Sequence, residues 1–337
     1  MIRAIVNGRV FDGQSVQQDL AVILHHDRVR ELVSVNDVPA SVEHRWDLAG
    51  HLLAPGLIDI QVNGGGGRMF NDDPSVETIR SIGHAHRQFG TIGFLPTLIS
   101  TDLATMQTAI EAVKMAINEA VPGVLGIHLE GPFLNPAKQG IHDAARFREI
   151  DEAAIELLTS LENGLTLVTL APEKTRPGVI SRLVERGVIV SGGHSNASYE
   201  QTRIALDAGM SGFTHLFNAM SPFTSREPGM VGAALADRNS WFGIIADGQH
   251  VHPASLTVAV NAKKKGGALL VTDAMATVGS ERKSFVFDGV EMHAIDGCCR
   301  TNGGQLAGSD LDMISAVRNT ISYTGLDSLE VLRMAST

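Results

Sequence analysis

The chain has 337 residues, 44% hydrophobic and 5% aromatic, enough apolar material for one large core or a large core with a small companion domain. Its formal charge is −10, from 27 basic and 37 acidic side chains with no basic block, which argues against nucleic acid as a partner. No apolar stretch approaches the roughly 18 residues that cross a bilayer, and the N-terminus MIRAIVNGRVFDG has no leader pattern, so the reading is a cytoplasmic protein without a membrane partner.

Residues 2–8, 20–24 and 28–34 are short runs rich in Ile, Val and Leu, separated by Asn-Gly, Asp-Gly and His-Asp. They predict a small antiparallel β unit over residues 1–53. From residue 54 the texture changes. Strand-like runs at 56–62, 92–98, 124–129, 165–170 and 188–191 alternate with helical periodicity at 75–89, 103–118, 151–160, 176–186 and 199–208. Further strands follow at 211–215, 242–246 and 268–272, with helices at 253–265 and 309–322. About eight βα units predict an α/β fold, a (β/α)8 TIM-like barrel over residues 54–337. The turn signals in FVFDGVEM and DGCC predict a β-hairpin inserted over 284–306.

In a barrel the C-terminal ends of the strands carry the chemistry. In VLGIHLEGPF Glu130 follows an apolar run just before Gly131-Pro132, in VIVSGGHSNAS His194 comes after VIV and two glycines, His215 follows SGFT, and Asp273 ends LLVTD. One Glu and two His suit Zn²⁺ or another borderline divalent ion with a position left for water, and a nearby Asp can take a proton from that water. Each residue alone has a plainer role, as a hydrogen-bonded histidine, a helix N-terminal carboxylate or an N-cap. The stretch PGLIDIQVNGGGG at 55–67 lacks the ending of a phosphate-binding loop and the spacing of a dinucleotide turn. His84 and His86, at i and i+2 of a helix, are read as structural or surface residues. His250 and His252 are not read as a metal pair, because Pro253 ends their strand. Adjacent Cys298 and Cys299 suit neither an ordinary disulfide nor a metal knuckle, and no catalytic role is assigned to them.

PGLIDIQVNG, HLEGPF, GGHSNA, THLFNAM with EPGMVGAAL, ADGQHVHP, LVTDAM and LAGSDL together resemble the N-acetylglucosamine-6-phosphate deacetylases of the amidohydrolase superfamily. The resemblance implies removal of acetate from N-acetyl-D-glucosamine 6-phosphate in amino-sugar catabolism, by water activated at a metal. It implies Glu130, His194 and His215 as metal ligands, Asp273 as acid/base, and His142 as the group polarising the acetyl carbonyl. It further implies substrate contacts from Asn218, the backbone at Ala219, His250 and Arg226, the arginine being supplied by the neighbouring subunit of a homodimer. Many members of the superfamily carry His-x-His where this chain has Gln61-x-Asn63. Neutral amides are weaker ligands for a transition ion, so one divalent metal per site is expected, Zn²⁺ first and Fe²⁺, Co²⁺ or Mn²⁺ after it. Relatives of this kind continue past residue 337 with strands that complete the small β domain, so residues 1–53 are expected to be short of a partner strand. Within enzymes, the galactosamine isomer or a cyclic amide is the alternative substrate. Outside them, the competing reading is a silent sugar-phosphate-binding protein, against which Asp273 argues.

Overall fold

Eight parallel strands in sequential order form the centre of the computed structural model, which describes residues 1–336. Thr337, the last residue of the expected barrel segment, lies outside them. The strands are Leu57–Val62, Thr91–Ile99, Gly126–Glu130, Leu165–Leu170, Ile189–Gly192, Gly212–Phe213, Trp241–Ile244 and Ala268–Leu270. An isolated bridge between Val62 and Ala274 brings the chain after the last strand back to the first, so the barrel is nearly closed. This arrangement sends every strand's C-terminal end to one rim.

Helices Val76–Arg87, Leu103–Asn118, Glu152–Leu158, Pro177–Glu185, Tyr199–Asp207, Gly229–Ala236, Pro253–Ala262 and Met313–Thr324 belong to the barrel's outer layer, followed by Ser328–Ser336. Several begin at side-chain caps that the sequence makes available. Ser75, Asp102, Asp151 and Asp312 each accept a backbone N–H from the first turn, and Ser198 with Gln201 forms a reciprocal capping box. Two helices had no sequence expectation. Gly229–Ala236 (GMVGAALA) is apolar all round, so it shows no 3.6-residue stripe. Ser328–Ser336 extends beyond the expected last helix and buries Val331, Met334 and Ala335.

Residues 2–53 fold into two small sheets. Arg28–Ser34, Leu20–His25, Ile2–Val6 and His44–Asp47 form one; Val16–Gln17, Arg9–Phe11 and Leu52–Leu53 form the other. They are not purely antiparallel, because Ile2–Val6 runs parallel to His44–Asp47. Over the segment where a hairpin is expected, four strands form an antiparallel meander: Ser284–Phe287, Val290–Ile295, Cys298–Thr301 and Leu306–Ser309. Phe285, Phe287, Met292 and Cys299 bury a second apolar cluster with Ile99 and Met275 of the barrel rim. The meander therefore lies against the strand ends, where it helps to wall the site.

The glycines after the first strand serve close packing. A Cβ on Gly65 would come within 2.9 Å of the His86 ring. That ring is buried and pairs its Nε2 with the Gly64 carbonyl at 2.9 Å, while His84 is exposed. Gly66 and Gly67 donate their N–H groups to the carbonyls of Val278 and Ala276. The run is a packed crossing of loops, not an anion cradle.

Candidate active site

A cavity of about 160 Å³ opens at the C-terminal rim, lined among others by Asn63, Glu130, His142, His194, His215, Asn218, Ala219, His250 and Asp273. A larger groove of about 950 Å³ between Leu134, Phe147 and Ile204 holds none of these residues. The smaller cavity has the chemistry.

Glu130 is the last residue of the third strand, His194 follows the fifth strand, and His215 follows the sixth. Three strands thus converge on one point. Glu130 Oε1 lies 2.9 Å from His215 Nε2 and 3.3 Å from His194 Nε2, and the two imidazole nitrogens are 3.1 Å apart. The three are buried, and they are the one group of His, Cys, Asp or Glu found among the described residues that meets the spacing for an ion, with ligand atoms within 4.8 Å of one another. His194 Nδ1–H donates to the Lys138 carbonyl at 2.8 Å, which leaves the lone pair on Nε2, the atom that faces the other two. Two imidazoles and a carboxylate turning lone pairs toward one another repel unless a proton or cation lies between them. The set fits a divalent cation, with nitrogen and oxygen donors suited to borderline ions. His215 Nδ1 is buried without a hydrogen-bond partner.

Backbone geometry at the rim is unusual. His194, His215 and Asp273 have φ of 47°, 32° and 52°, and Phe217 and Ala219 have 78° and 50°. Left-handed backbone costs a residue with a Cβ about 1–2 kcal/mol. Here the backbone is pinned by hydrogen bonds from Asp273 N to Gln61 O (3.0 Å), Leu216 N to Gly243 O (2.8 Å) and Ser195 N to Ala219 O (3.0 Å).

Asp273 follows the eighth strand. Its Oδ1 accepts from Asn63 Nδ2 at 2.7 Å and Gln61 Nε2 at 3.1 Å, and Gln61 Nε2 also lies 3.3 Å from both oxygens of Glu130. Only the amide nitrogens can donate to carboxylates, so Gln61 and Asn63 turn their N–H groups toward the acids. Burial, and then the neighbouring Glu130 charge, raise Asp273 above the usual carboxylate range, against the downward pull of His215, His250 and Asn63. Glu130 is held well below its usual value: hydrogen bonds and charge from His194 and His215 outweigh burial. Asp59, beneath them in the first strand, is pushed up to about 7 by burial while Thr272 and two backbone N–H groups hydrogen-bond to it.

His142 lies in the loop after the third strand, its ring 4.3 Å from that of His194. The Ser100 N–H points at His142 Nδ1 (3.4 Å), and the Ser100 hydroxyl lies 2.7 Å from the same nitrogen and 3.3 Å from the Glu130 carbonyl. Because Nδ1 accepts the Ser100 N–H, the ring's own N–H is placed on Nε2. Burial, then His194, lower the His142 pKa well below the ordinary histidine value, which disfavours the charged ring.

His250 lines the other side of the cavity, with Nδ1 2.5 Å from Asp247 Oδ2. Asp247 also accepts the backbone N–H groups of Gln249 and His250, both at 2.8 Å. Sequence reasoning passed over this aspartate, although the i, i+3 spacing in ADGQH was a usable signal. Ser100 was passed over too, since it is 42 residues from its histidine. His252 caps helix Pro253–Ala262, its Nδ1 accepting from Ala254 N at 3.1 Å. Asn218 and Ala219 are half-buried at the cavity wall, Asn218 Nδ2 donating to the His215 carbonyl at 3.2 Å. Arg226 stands apart: it is exposed on the loop before Gly229 and does not line this chain's cavity. That loop is held in shape by Thr224 Oγ1 donating to the Glu227 carbonyl at 2.7 Å. Cys298 and Cys299 are buried free thiols. No described helix is long and apolar enough to cross a membrane.

Comparison with known proteins gives two family matches, the Amidohydrolase family over residues 52–337 and the NagA composite domain over residues 3–53. A curated relative from Shewanella sp. (strain ANA-3), an N-acetylgalactosamine-6-phosphate deacetylase, is 50% identical over 291 residues, 86% of this chain and 74% of the relative. An N-acetylglucosamine-6-phosphate deacetylase from Haemophilus influenzae is 34% identical over 337 residues, 99% of this chain and 87% of the relative. The crystal structure of N-acetylglucosamine-6-phosphate deacetylase from Pasteurella multocida superposes with a TM-score of 0.95 at 36% identity, covering 99% of this chain and 88% of that one.

Proposed function

This chain belongs to the amidohydrolase family, and from that premise we propose that it removes acetate from N-acetyl-D-glucosamine 6-phosphate, giving D-glucosamine 6-phosphate, in amino-sugar catabolism. The observation that carries the reading is the meeting of Glu130, His194 and His215 beside Asp273 in one buried cavity. A divalent ion held by Glu130, His194 and His215, Zn²⁺ by preference of the donor set, would polarise the acetyl carbonyl and bring the pKa of a water from about 15.7 towards 7.

The chain's own residues supply the rest. Asp273 takes the proton of the attacking water as the new C–O bond forms and passes it to the sugar nitrogen as the C–N bond breaks. Gln61 and Asn63 hold its Oδ1, leaving the other oxygen for proton transfer. His142 offers Nε2–H to the carbonyl oxygen, a donor aimed at charge that grows in the transition state. His142→Ala is therefore expected to lower kcat by about 10²–10³ with little change in KM. An equal rise in KM with kcat unchanged would assign the ring to binding only.

At the far end, Asn218, the Ala219 N–H and His250 bind the phosphate, joined by the partner subunit's Arg226. Support for the last role is the exposure of Arg226 on a loop fixed by Thr224 and Glu227. A homodimer in sedimentation analysis and a raised KM in Arg226→Ala, tenfold or more at unchanged metal content, are the expected results. A fully active monomer would remove the shared site.

One observation favours a second reading of the sugar. The relative at 50% identity acts, by its name, on N-acetylgalactosamine 6-phosphate, the C4 epimer. The ratio of kcat/KM for the two phosphorylated sugars decides: a value above one for gluco over galacto supports the first reading, and a value below one the second.

A further inference from the structure

The reactive cavity has an apolar side that the proposed chemistry does not use. Ile99, Ile141, Met275 and Leu306 line it together with the reactive groups. Ile99 and Met275 are buried, and Ile141 packs against the cluster they form with Phe285, Phe287 and Met292 of the meander. Each is tied to a reacting group. Ile141 precedes His142, Ile99 precedes the Ser100 that orients His142, and Met275 lies two residues beyond Asp273. Asn63 Nδ2, which holds Asp273, also lies 3.6 Å from Met275 Sδ.

This wall is fixed. On one side of Met275 is Asn63; on the other is Gly308, at φ +71°, where a Cβ would sit 2.6 Å from both Cγ and Sδ of the methionine. The Met275 N–H is bonded to the Ser309 carbonyl at 3.0 Å, locking the barrel rim to the last meander strand. The phosphate groups assigned above come from the loops after the sixth and seventh strands, whereas the wall comes from the second and eighth strand ends and the Ile141 loop. A substrate anchored by its phosphate and reacting beside Asp273 thus turns its acyl methyl toward the wall.

We propose that Ile99, Ile141 and Met275, backed by Phe285, Phe287 and Met292, form an acyl subsite that admits acetyl and rejects longer acyl groups. The proposal rests on the deacetylase reading and adds the feature that selects the acid released. The inserted meander is then a specificity element, since its core holds the wall in place. A bound acetyl methyl fills the subsite, and each added carbon must displace close-packed side chains, which interiors resist. One methylene in an apolar pocket discriminates by about 10–200-fold.

The test uses metal-loaded full-length enzyme with N-acetyl, N-propionyl and N-butyryl hexosamine 6-phosphates. For the wild type, the propionyl-to-acetyl ratio of kcat/KM is expected at or below one-tenth, with butyryl lower still. In Met275→Ala and in Ile141→Ala that ratio is expected to rise at least tenfold. The second variant lies on the half-buried side of the wall and guards against a folding failure in the first. Equal turnover of acetyl and propionyl substrates by the wild type, or an unchanged ratio in folded variants that release acetate, would overturn the subsite. A wild type that releases no acetate from either epimer overturns the deacetylase reading instead.

Discussion

Asp273→Asn is expected to lower kcat/KM for acetate release by about 10²–10⁴ while metal content and substrate affinity stay near wild type. Asparagine has the same shape, and its Oδ1 can still accept from Asn63 and Gln61 as the carboxylate does at 2.7 and 3.1 Å. What it loses is the ability to take a proton from water and give it to the amine. A buried carboxyl raised above the usual range by burial and by Glu130 matches that task better than an exposed acid, because it binds a proton more readily and can return it. The measurement is acetate release with metal analysis on the same sample. Activity within threefold of wild type would remove Asp273 from the reaction.

The second large effect is loss of the metal. Wild-type chain, loaded and freed of excess ion, is expected to hold one divalent ion, and His215→Ala to hold less than about a tenth of that with no measurable turnover. Losing a residue behind a ligand weakens metal binding by about 10–100-fold, and losing a ligand costs more. Glu130→Gln should behave similarly, because its carboxylate oxygen is the atom both imidazoles approach. The count of one follows from Gln61 and Asn63, whose amide nitrogens already engage Glu130 and Asp273 and present no imidazole to a second ion. Two ions per wild-type chain, or full occupancy in His215→Ala, would contradict this assignment.

The barrel was legible because its signals are local: apolar runs end at Gly-Pro, Gly-Gly or Asp, and caps such as Asp102 and Ser198 mark where helices start. Glu130, His194, His215 and Asp273 could be chosen since strand ends converge in any barrel. Their partners could not. Ser100 and Gln61 act on residues 42, 69 and 212 positions away, contacts that only the nearly closed sheet creates. Gln61 and Asn63 were read through their weak oxygens, yet their amide nitrogens face the acids, since an amide's orientation follows from its neighbours. The meander was underestimated because FVFDGVEM and DGCC signal two turns, and the third return, through Leu306–Ser309, follows polar TNGGQ with no alternating pattern.

The left-handed backbone at His194, His215 and Asp273 sets robustness against activity at this rim. Each of these side chains is held where glycine would be the relaxed choice, so the fold opposes its own reactive groups by about 1–2 kcal/mol at each position. Drift toward glycine at these positions is therefore favoured by stability alone and resisted only while the reaction matters. A descendant freed from catalysis would be expected to lose these residues before it loses the barrel, keeping a sturdier scaffold with an inert rim.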